Sequence, residues 1–181
     1  ASTTDFGDDA IRETVRAACT IAKNTSEDEF AGLIDPEYIA RQVPDLDLLH
    51  PWDISPEDAI KLAIECENTA RLFDPRISNS EGATVHSYSG SHFYCNSHGF
   101  IGGWDWSTHS IDCSVIAEQD GMMQRDGWYS RMRDHTELEN VRTIAETAAT
   151  RTLQKLGARK LSTLSVPVIF DAQVASSLFS S

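Results

Sequence analysis

The sequence predicts an α+β fold in which an antiparallel β-meander is flanked by helices. Apolar residues recur with the 3.6-residue period of a helix near both ends of the chain, and with the two-residue period of a strand between them. Glycine-containing turn signals separate the strand-like runs, as they do in antiparallel hairpins. The expected organisation is a helical part over 1–73, the meander over 83–133 and a helix–strand part over 137–179. Together they form a single domain over 1–181 or the central fragment of a longer chain.

Two helices are predicted in the first part. Apolar residues at helical spacing, with acids near the start, predict a helix over Asp8–Lys23. The segment 24–53 is irregular because three prolines interrupt it. Ser55 followed by Pro56 indicates a second helix start, since serine caps free backbone N–H groups and proline suits the first helical position. This helix is expected to run to about Phe73.

The period then changes to two, which predicts strands. Residues 84–88 and 92–96 are expected to form a hairpin around Ser89–Ser91. A glycine-rich crossing follows, and then a long strand over Ser107–Gln119. One face of the hairpin is apolar, and the other carries polar and aromatic side chains: Thr84, His86, Tyr88, His92, Tyr94 and Asn96.

Asp120-Gly121 predicts a two-residue turn that folds the long strand back on the residues that follow. In that register Val115 shares a face with Asp126, which is then an acid on the more apolar side of the sheet. Glu118 and Arg125 become diagonal neighbours of opposite charge on the other side.

The last part of the chain is predicted to contain the longest helix, over Glu137–Leu156, with Gly157 as its C-terminal cap. A short buried strand is expected over Val166–Phe170, and Asp171 could cap a last helix. The apolar face expected for that last helix consists of Val174, Leu178 and Phe179.

Composition excludes several classes of function. A net charge of −13 repels phosphate, which argues against direct nucleic-acid binding. No apolar run approaches the roughly 18 residues of a membrane span, so no membrane association is expected. The four cysteines are scattered without a Cys-x-x-Cys pair, a pattern typical of reduced thiols, and predict a cytoplasmic protein.

The sequence offers few candidates for catalysis. It contains no His-Glu-x-x-His motif and no paired cysteine motif. In the predicted hairpin His86 and His92 are diagonal neighbours, but no third metal ligand points towards them. The residues leave open a hydrolase that uses His86, His92 and Asp126 on the polar sheet face. They also leave open a peptide-binding module that uses an exposed strand edge.

Several ordered motifs in this chain resemble the PmbA/TldD family. They are Asp74-Pro75-Arg76-Ile77-x-Asn79-x-Glu81-Gly82, Asn96-Ser97-His98-Gly99-Phe100-x-Gly102-Gly103, Ser107-Thr108 through Val115-Ile116-Ala117-Glu118, and Met123-x-Arg125-Asp126-x-x-Tyr129. Residues 157–179 resemble the same family, so the resemblance covers essentially the whole chain.

This resemblance implies a cytoplasmic metalloprotease system in which TldD-type and TldE-type subunits pair and act on peptides. The family is also associated with modulation of DNA gyrase. In the family, zinc is held by a His-Glu-x-x-x-His motif on the TldD-type subunit. This sequence lacks that motif and is more similar to the PmbA (TldE) branch, so no metal, cofactor or catalytic residue is expected in it.

The implied role is therefore that of a scaffold that binds a TldD-type partner and the peptide substrates of the complex. The candidate interaction or structural residues are those of the resembling motifs: Asn79, Glu81, Gly82, Asn96, His98, Gly99, Gly102, Gly103, Arg125, Asp126 and Tyr129.

Overall fold

A computed structural model describes residues 1–179, apart from the side chains of Gln173 and Leu178. The chain forms two compact units, Ala1–Asp45 with His92–Trp104, and Leu46–Ser91 with the chain from Asp105 onward. The elements, in chain order, are α1 (Asp8–Asn24), α2 (Pro56–Leu72), β1 (Ile77–Cys95), β2 (Ile101–Gln119), β3 (Met122–Met132), α3 (Val141–Gln154) and α4 (Ala172–Ala175). Short 3₁₀ turns cover Pro36–Tyr38, His135–Glu137 and Ser176–Leu178. The predicted α+β class is confirmed.

The first two helices form where the sequence predicts them. Helix α1 begins with two acids and has a lysine in its last turn, which complements the helix dipole at both ends. None of its side chains is buried. Helix α2 begins at Pro56, and the Oγ of Ser55 accepts a hydrogen bond from the Asp58 backbone N–H at 3.1 Å. No helix among residues 1–179 is long and apolar enough to cross a membrane.

The three strands form one sheet in the order β1-β2-β3. Strands β2 and β3 are antiparallel, and the pairing begins with Gln119 opposite Met122. The two residues between them, Asp120 and Gly121, have φ angles of 52° and 76°, as a tight hairpin turn requires. The predicted turn and register are therefore confirmed, with Val115 opposite Asp126.

The hairpin predicted around Ser89–Ser91 is wrong, because β1 runs without interruption through these residues. Gly90 serves packing rather than a turn, since a Cβ at this position would lie 3.3 Å from the Trp106 indole. The chain reverses later, at Asn96, whose backbone N–H donates to the Phe100 carbonyl at 3.1 Å. Strand β2 therefore begins at Ile101 rather than at Ser107.

The core lies between the sheet and the helices α2 and α3. Alternate residues of β2 point into it, so that Ile111, Cys113, Val115 and Ala117 are all buried. They belong to one apolar cluster with residues of both helices: Cys66, Ala70, Ile144, Ala145, Ala148 and Ala149. Four of the six helical members are alanines, so little side-chain volume separates the backbones of the packed elements.

Helix α3 begins at Val141, four residues later than predicted. The side chain of Asn140 caps it by accepting a hydrogen bond from the Arg142 N–H at 2.8 Å. The preceding residues form a separate 3₁₀ turn, because Asp134 accepts from the Thr136 N–H at 2.8 Å. Gly157 has a φ of 70°, which suits its predicted place after the helix.

The strand predicted over Val166–Phe170 is also wrong, because these residues have no regular structure. They are largely exposed, and the Ile169 side chain is 97% exposed. The last helix is a single turn, α4, in which the Asp171 carbonyl accepts from the Val174 and Ala175 N–H groups. The predicted place of the Leu178 side chain on its apolar face lies outside the described residues.

The Asp74-Pro75-Arg76 motif forms the connection from α2 to the sheet. The Asp74 carboxylate accepts from the Arg76 backbone N–H at 2.9 Å, from Nε at 2.9 Å and from Nη2 at 2.8 Å. The Arg76 carbonyl in turn accepts from the Glu118 N–H at 2.8 Å, which joins the turn to the end of β2. The Arg76 side chain beside Asp74 lowers the pKa of that carboxyl to about 2.

We expect the replacement Asp74→Asn to remove part of the acid sensitivity of the fold. The folded-state pKa of Asp74 lies below its ordinary value of about 4. Its contribution to stability is therefore present above about pH 4 and is lost as the pH falls towards 2. Urea unfolding at pH 6 should show Asp74→Asn to be less stable than the unmodified chain, and the difference should shrink at pH 2.5. Asp53→Asn is the matched control, and a difference independent of pH would contradict the expectation.

Candidate interaction surface

The sheet has a second face, opposite the core, which we call the outer face. It consists of the side chains that alternate with the buried ones and of their cross-strand neighbours: Glu81, His86, Tyr88, Asp112, Ser114, Arg125 and Tyr129. The β2–β3 register places Tyr129 opposite Asp112 and Arg125 opposite Ile116. Tyr88 is 56% exposed and Tyr129 is 48% exposed, so that two aromatic rings lie open to solvent on a charged surface.

One cluster on the outer face links all three strands. Arg125 of β3 donates to the Glu81 carboxylate of β1 at 2.6 Å, and the Ser114 hydroxyl of β2 donates to the same carboxylate at 3.1 Å. Arg125 and then Ser114 lower the pKa of Glu81. Glu118 is the diagonal neighbour of Arg125, as predicted, but Arg125 forms its ion pair with Glu81. Because both side chains are well exposed, the pair orients charged groups more than it stabilises the fold.

Glycine and small polar residues shape β1 beside this cluster. Gly82 has a φ of 102°, a backbone conformation that side chains disfavour. Its N–H donates to the Ser80 hydroxyl at 2.7 Å, and the Asn79 side chain accepts from the Ser80 N–H at 2.9 Å. The motif residues 79–82 therefore set a local strand geometry that brings Glu81 to Arg125.

A second cluster of the outer face surrounds His86. Its Nδ1 lies 3.3 Å from the Tyr88 hydroxyl, and the two rings stack with centroids 5.7 Å apart. Its Nε2 lies 4.0 Å from the Asp112 carboxylate, too far for a direct hydrogen bond. Tyr129 stands opposite Asp112. The arrangement presents hydrogen-bonding groups and aromatic surface together.

Asp126 lies on the inner face, as predicted, and packs against α3 rather than facing solvent. Its carboxylate lies 3.0 Å from Lys155 Nζ and 3.4 Å from Arg151 Nε. Burial alone would raise the pKa of Asp126, but the Gly127 N–H and the two cations outweigh it and lower that pKa. The guanidinium of Arg151 also lies 5.2 Å above the Trp128 ring. Asp126 thus joins the sheet to the helix.

These positions separate the residues of the predicted hydrolase site. His86 and His92 lie on the same continuous strand, so they are not cross-strand neighbours. Asp126 lies on the opposite face of the sheet from His86. Within residues 1–179, no group of three His, Cys, Asp or Glu side chains is placed to hold a metal ion.

A cluster of aromatic rings around the buried His109 was not anticipated from the sequence. The ring of His109 is buried, with Nδ1 3.0 Å from the Ser87 hydroxyl and Nε2 2.8 Å from the His50 carbonyl. Trp52 meets it edge-on at 5.5 Å and stacks on His135 at 5.2 Å. The sequence did indicate that His109 is buried, because this residue alternates with the apolar residues of β2 that form the core.

The remaining motif residues shape the reversal between β1 and β2. The Asn96 side chain accepts from the His98 and Phe100 N–H groups at 3.1 and 3.3 Å, and Gly99 has a φ of 86°. A Cβ at Gly102 would lie 2.7 Å from the Phe100 ring. A Cβ on Gly103 would lie 2.5 Å from the His92 carbonyl oxygen. A side chain at Gly103 would therefore clash with the strand backbone, whereas one at Gly102 would displace the Phe100 ring and Val43.

Comparison with known proteins identifies relatives of this chain. A family model described as the PmbA/TldA metallopeptidase central domain matches residues 49–156. Metalloprotease PmbA of Escherichia coli O157:H7 is 44% identical over 179 residues, and a PmbA homolog of Haemophilus influenzae is 39% identical over 180 residues. Each alignment covers 99% of this chain and 40% of the relative. The chain therefore spans about 40% of the length of the curated relatives it matches.

Solved structures share the fold. A protein from Bacteroides thetaiotaomicron, crystallised as a candidate modulator of DNA gyrase, matches with a TM-score of 0.76 at 20% identity, over 89% of this chain and 37% of that chain. TldE from Thermococcus kodakarensis matches with a TM-score of 0.58 at 18% identity, over 83% of this chain and 34% of that chain. At such identities the likeness concerns the fold alone. Since the family model matches more than half of its residues, the chain belongs to the PmbA/TldD family.

Proposed function

We propose that this chain is the scaffold and partner-binding part of a PmbA/TldE-type subunit, which acts with a TldD-type subunit in a cytoplasmic metalloprotease complex. The complex would mature and degrade peptides. The names of the relatives and the match to a metallopeptidase central domain support this proposal at the level of the family. The role of the individual chain rests on its outer face.

The observation that carries the proposal is the composition and order of the outer face. Tyr88, Tyr129 and Arg125 are exposed on the same face of the three-stranded sheet, and tyrosine and arginine are the residue types enriched at protein interfaces. The Glu81–Arg125 ion pair holds one charged group in place before any partner binds. A preformed surface of this kind loses little conformational freedom on association.

The proposal assigns the peptidase metal to the TldD-type partner. A catalytic metal ion supplies Lewis-acid activation of the peptide carbonyl and of water when it is bound. The described residues of this chain do not fit that role, since no three ligand side chains converge and His86 and Asp126 occupy opposite faces. The chain would instead position the partner and its substrate.

A peptide-binding role remains a second candidate, because β1 and β3 are the two edges of the sheet. An extended peptide can add to such an edge through backbone hydrogen bonds, with little dependence on side chains. The two functions differ in what they require. Edge binding should survive loss of the outer-face tyrosines, whereas docking of a partner on that face should not.

We expect the double replacement Tyr88→Ala and Tyr129→Ala to weaken binding of a TldD-type protein by about 10–100-fold, because interface tyrosines often contribute 1–3 kcal/mol. Isothermal titration calorimetry with the purified partner measures the change. Tyr38→Ala with Tyr94→Ala is the matched control, since both tyrosines are exposed and lie in the other unit. Absence of binding by the unmodified chain, or equal weakening in both pairs, would contradict the proposal.

A further inference from the structure

A small cavity lies within the unit formed by Ala1–Asp45 and His92–Trp104. It has a volume of about 300 Å³, at the lower end of the range for ligand pockets. The irregular segment after α1 and the reversal between β1 and β2 form its walls. Its principal lining residues are Ile39, Arg41, Val43, His98, Phe100 and Ile101.

The walls of the cavity are fixed by specific contacts. His98 Nδ1 lies 3.2 Å from the Ile34 carbonyl oxygen, so the ring joins the two segments. Since a carbonyl only accepts, Nδ1 carries the proton, and Nε2 is left without a partner among the described residues. A Cβ at Gly102 would meet the Phe100 ring at 2.7 Å and Val43 at 3.0 Å. Because Gly102 has no Cβ, the side chains of Phe100 and Val43 can both pack against its backbone.

Arg41 is the charged group of the cavity. Within residues 1–179 its guanidinium makes no hydrogen bond or ion pair, although the chain as a whole carries many more acids than bases. Arginine is always charged, and its planar fork matches a carboxylate with two parallel hydrogen bonds. An unpaired arginine beside apolar surface is thus suited to a ligand that carries both an anionic and an apolar part.

The other lining side chains are chiefly apolar. Ile101 is 80% exposed and Val43 is 47% exposed, so both offer surface that a ligand could cover. No aspartate or glutamate lines the cavity among the described residues. The chemistry therefore favours an aliphatic group next to a single carboxylate.

We infer that this cavity binds the free C-terminus of a peptide that ends in an aliphatic residue. Arg41 pairs with the terminal carboxylate, and Ile39, Val43 and Ile101 contact the last side chain. The inference goes beyond the proposed function, because it concerns the unit that does not contain the outer face. It can be tested without any partner protein.

The test is an NMR titration of the 181-residue chain with the tripeptide N-acetyl-Ala-Ala-Leu. The acid should shift the amide signals of Gly99 and Ile101, whereas the C-terminal amide of the same peptide should bind about 2–5-fold more weakly. Arg41→Gln should weaken binding of the acid by about 2–5-fold, since the pair that is lost forms at a solvent-exposed arginine. Arg12→Gln removes an equal charge from α1 and should leave binding unchanged.

Ile101→Ser provides an independent variant. This side chain is 80% exposed, so its replacement should change the stability of the fold little, and its loss should weaken binding of the acid. Equal binding of acid and amide would overturn the inference, as would unchanged binding in Arg41→Gln or the absence of signal shifts at millimolar peptide. Octanoate, a fatty acid without a peptide group, tests whether the cavity recognises a peptide C-terminus or any aliphatic carboxylate. Octanoate binding as tight as that of the peptide acid would overturn the assignment to a peptide C-terminus.

Discussion

Replacing Ile144 by alanine is expected to lower the free energy of unfolding by roughly 2–5 kcal/mol. Ile144 is the largest completely buried side chain among residues 1–179 and belongs to the apolar cluster formed by the sheet and both helices. The nearest buried residues of α3 are Ala145, Ala148 and Ala149, which have no flexible side chains to move into the space that is left. The resulting cavity should therefore persist, and its cost adds to the lost burial. Urea denaturation followed by circular dichroism measures the change.

Ile60→Ala is the matched control for this prediction. The residue is also an isoleucine on a helix, but it is 58% exposed on α2. Replacement of an exposed residue usually changes stability by less than about 0.5 kcal/mol. Similar losses in the two variants would show that the packing of α3 against the sheet is not what holds the fold.

The second large effect is expected for His109→Ala. The change removes a buried ring and leaves the His50 carbonyl and the Ser87 hydroxyl without their partner. It also removes the edge contact with Trp52. Loss of packing and of two buried hydrogen bonds should together cost about 2–4 kcal/mol. The free energy of unfolding from urea titration tests this value.

His86→Ala is the appropriate comparison, because His86 lies on β1 but points to the outer face. Its removal should change the free energy of unfolding by less than about 0.5 kcal/mol. If His86→Ala destabilised the protein as much as His109→Ala, the distinction between a structural and a surface histidine would fail.

Local signals predicted the starts of α1 and α2 and the β2–β3 hairpin correctly. Ser55-Pro56 and Asp120-Gly121 act through the backbone of the next few residues, so their effect can be read from the sequence directly. The alternation of apolar residues in β2 then fixed which side of the sheet faces the core.

The errors arose where a distant residue decides the structure. Gly90 lies between two serines, a combination typical of a turn. In the structure, a glycine suits this position because the indole of Trp106, on the next strand, packs against it. Nothing within ten residues of Gly90 reveals this contact. Val166–Phe170 has a strand-like composition, but no neighbouring strand covers it within the described residues, and an isolated apolar run forms no sheet.

The candidate site was only partly predictable for the same reason. The motif residues 79–82 and 123–129 could be selected from the sequence, but not the Glu81–Arg125 pair, since the strands that carry them are not consecutive. Asp126 could be placed on the apolar side, but its partners on α3 are more than twenty residues away. The assignment of these residues to an interaction surface stays a prediction.

The alanines between α3 and the sheet affect the entropy of folding. Ala145, Ala148 and Ala149 have no side-chain rotamers to lose when they are buried, whereas a larger aliphatic residue loses about 0.5–1 kcal/mol of rotamer freedom. The interface therefore gains dispersion from close approach of the backbones while ordering few side chains. The low entropic cost of this contact favours the packed arrangement of α3 and the sheet that presents the outer face.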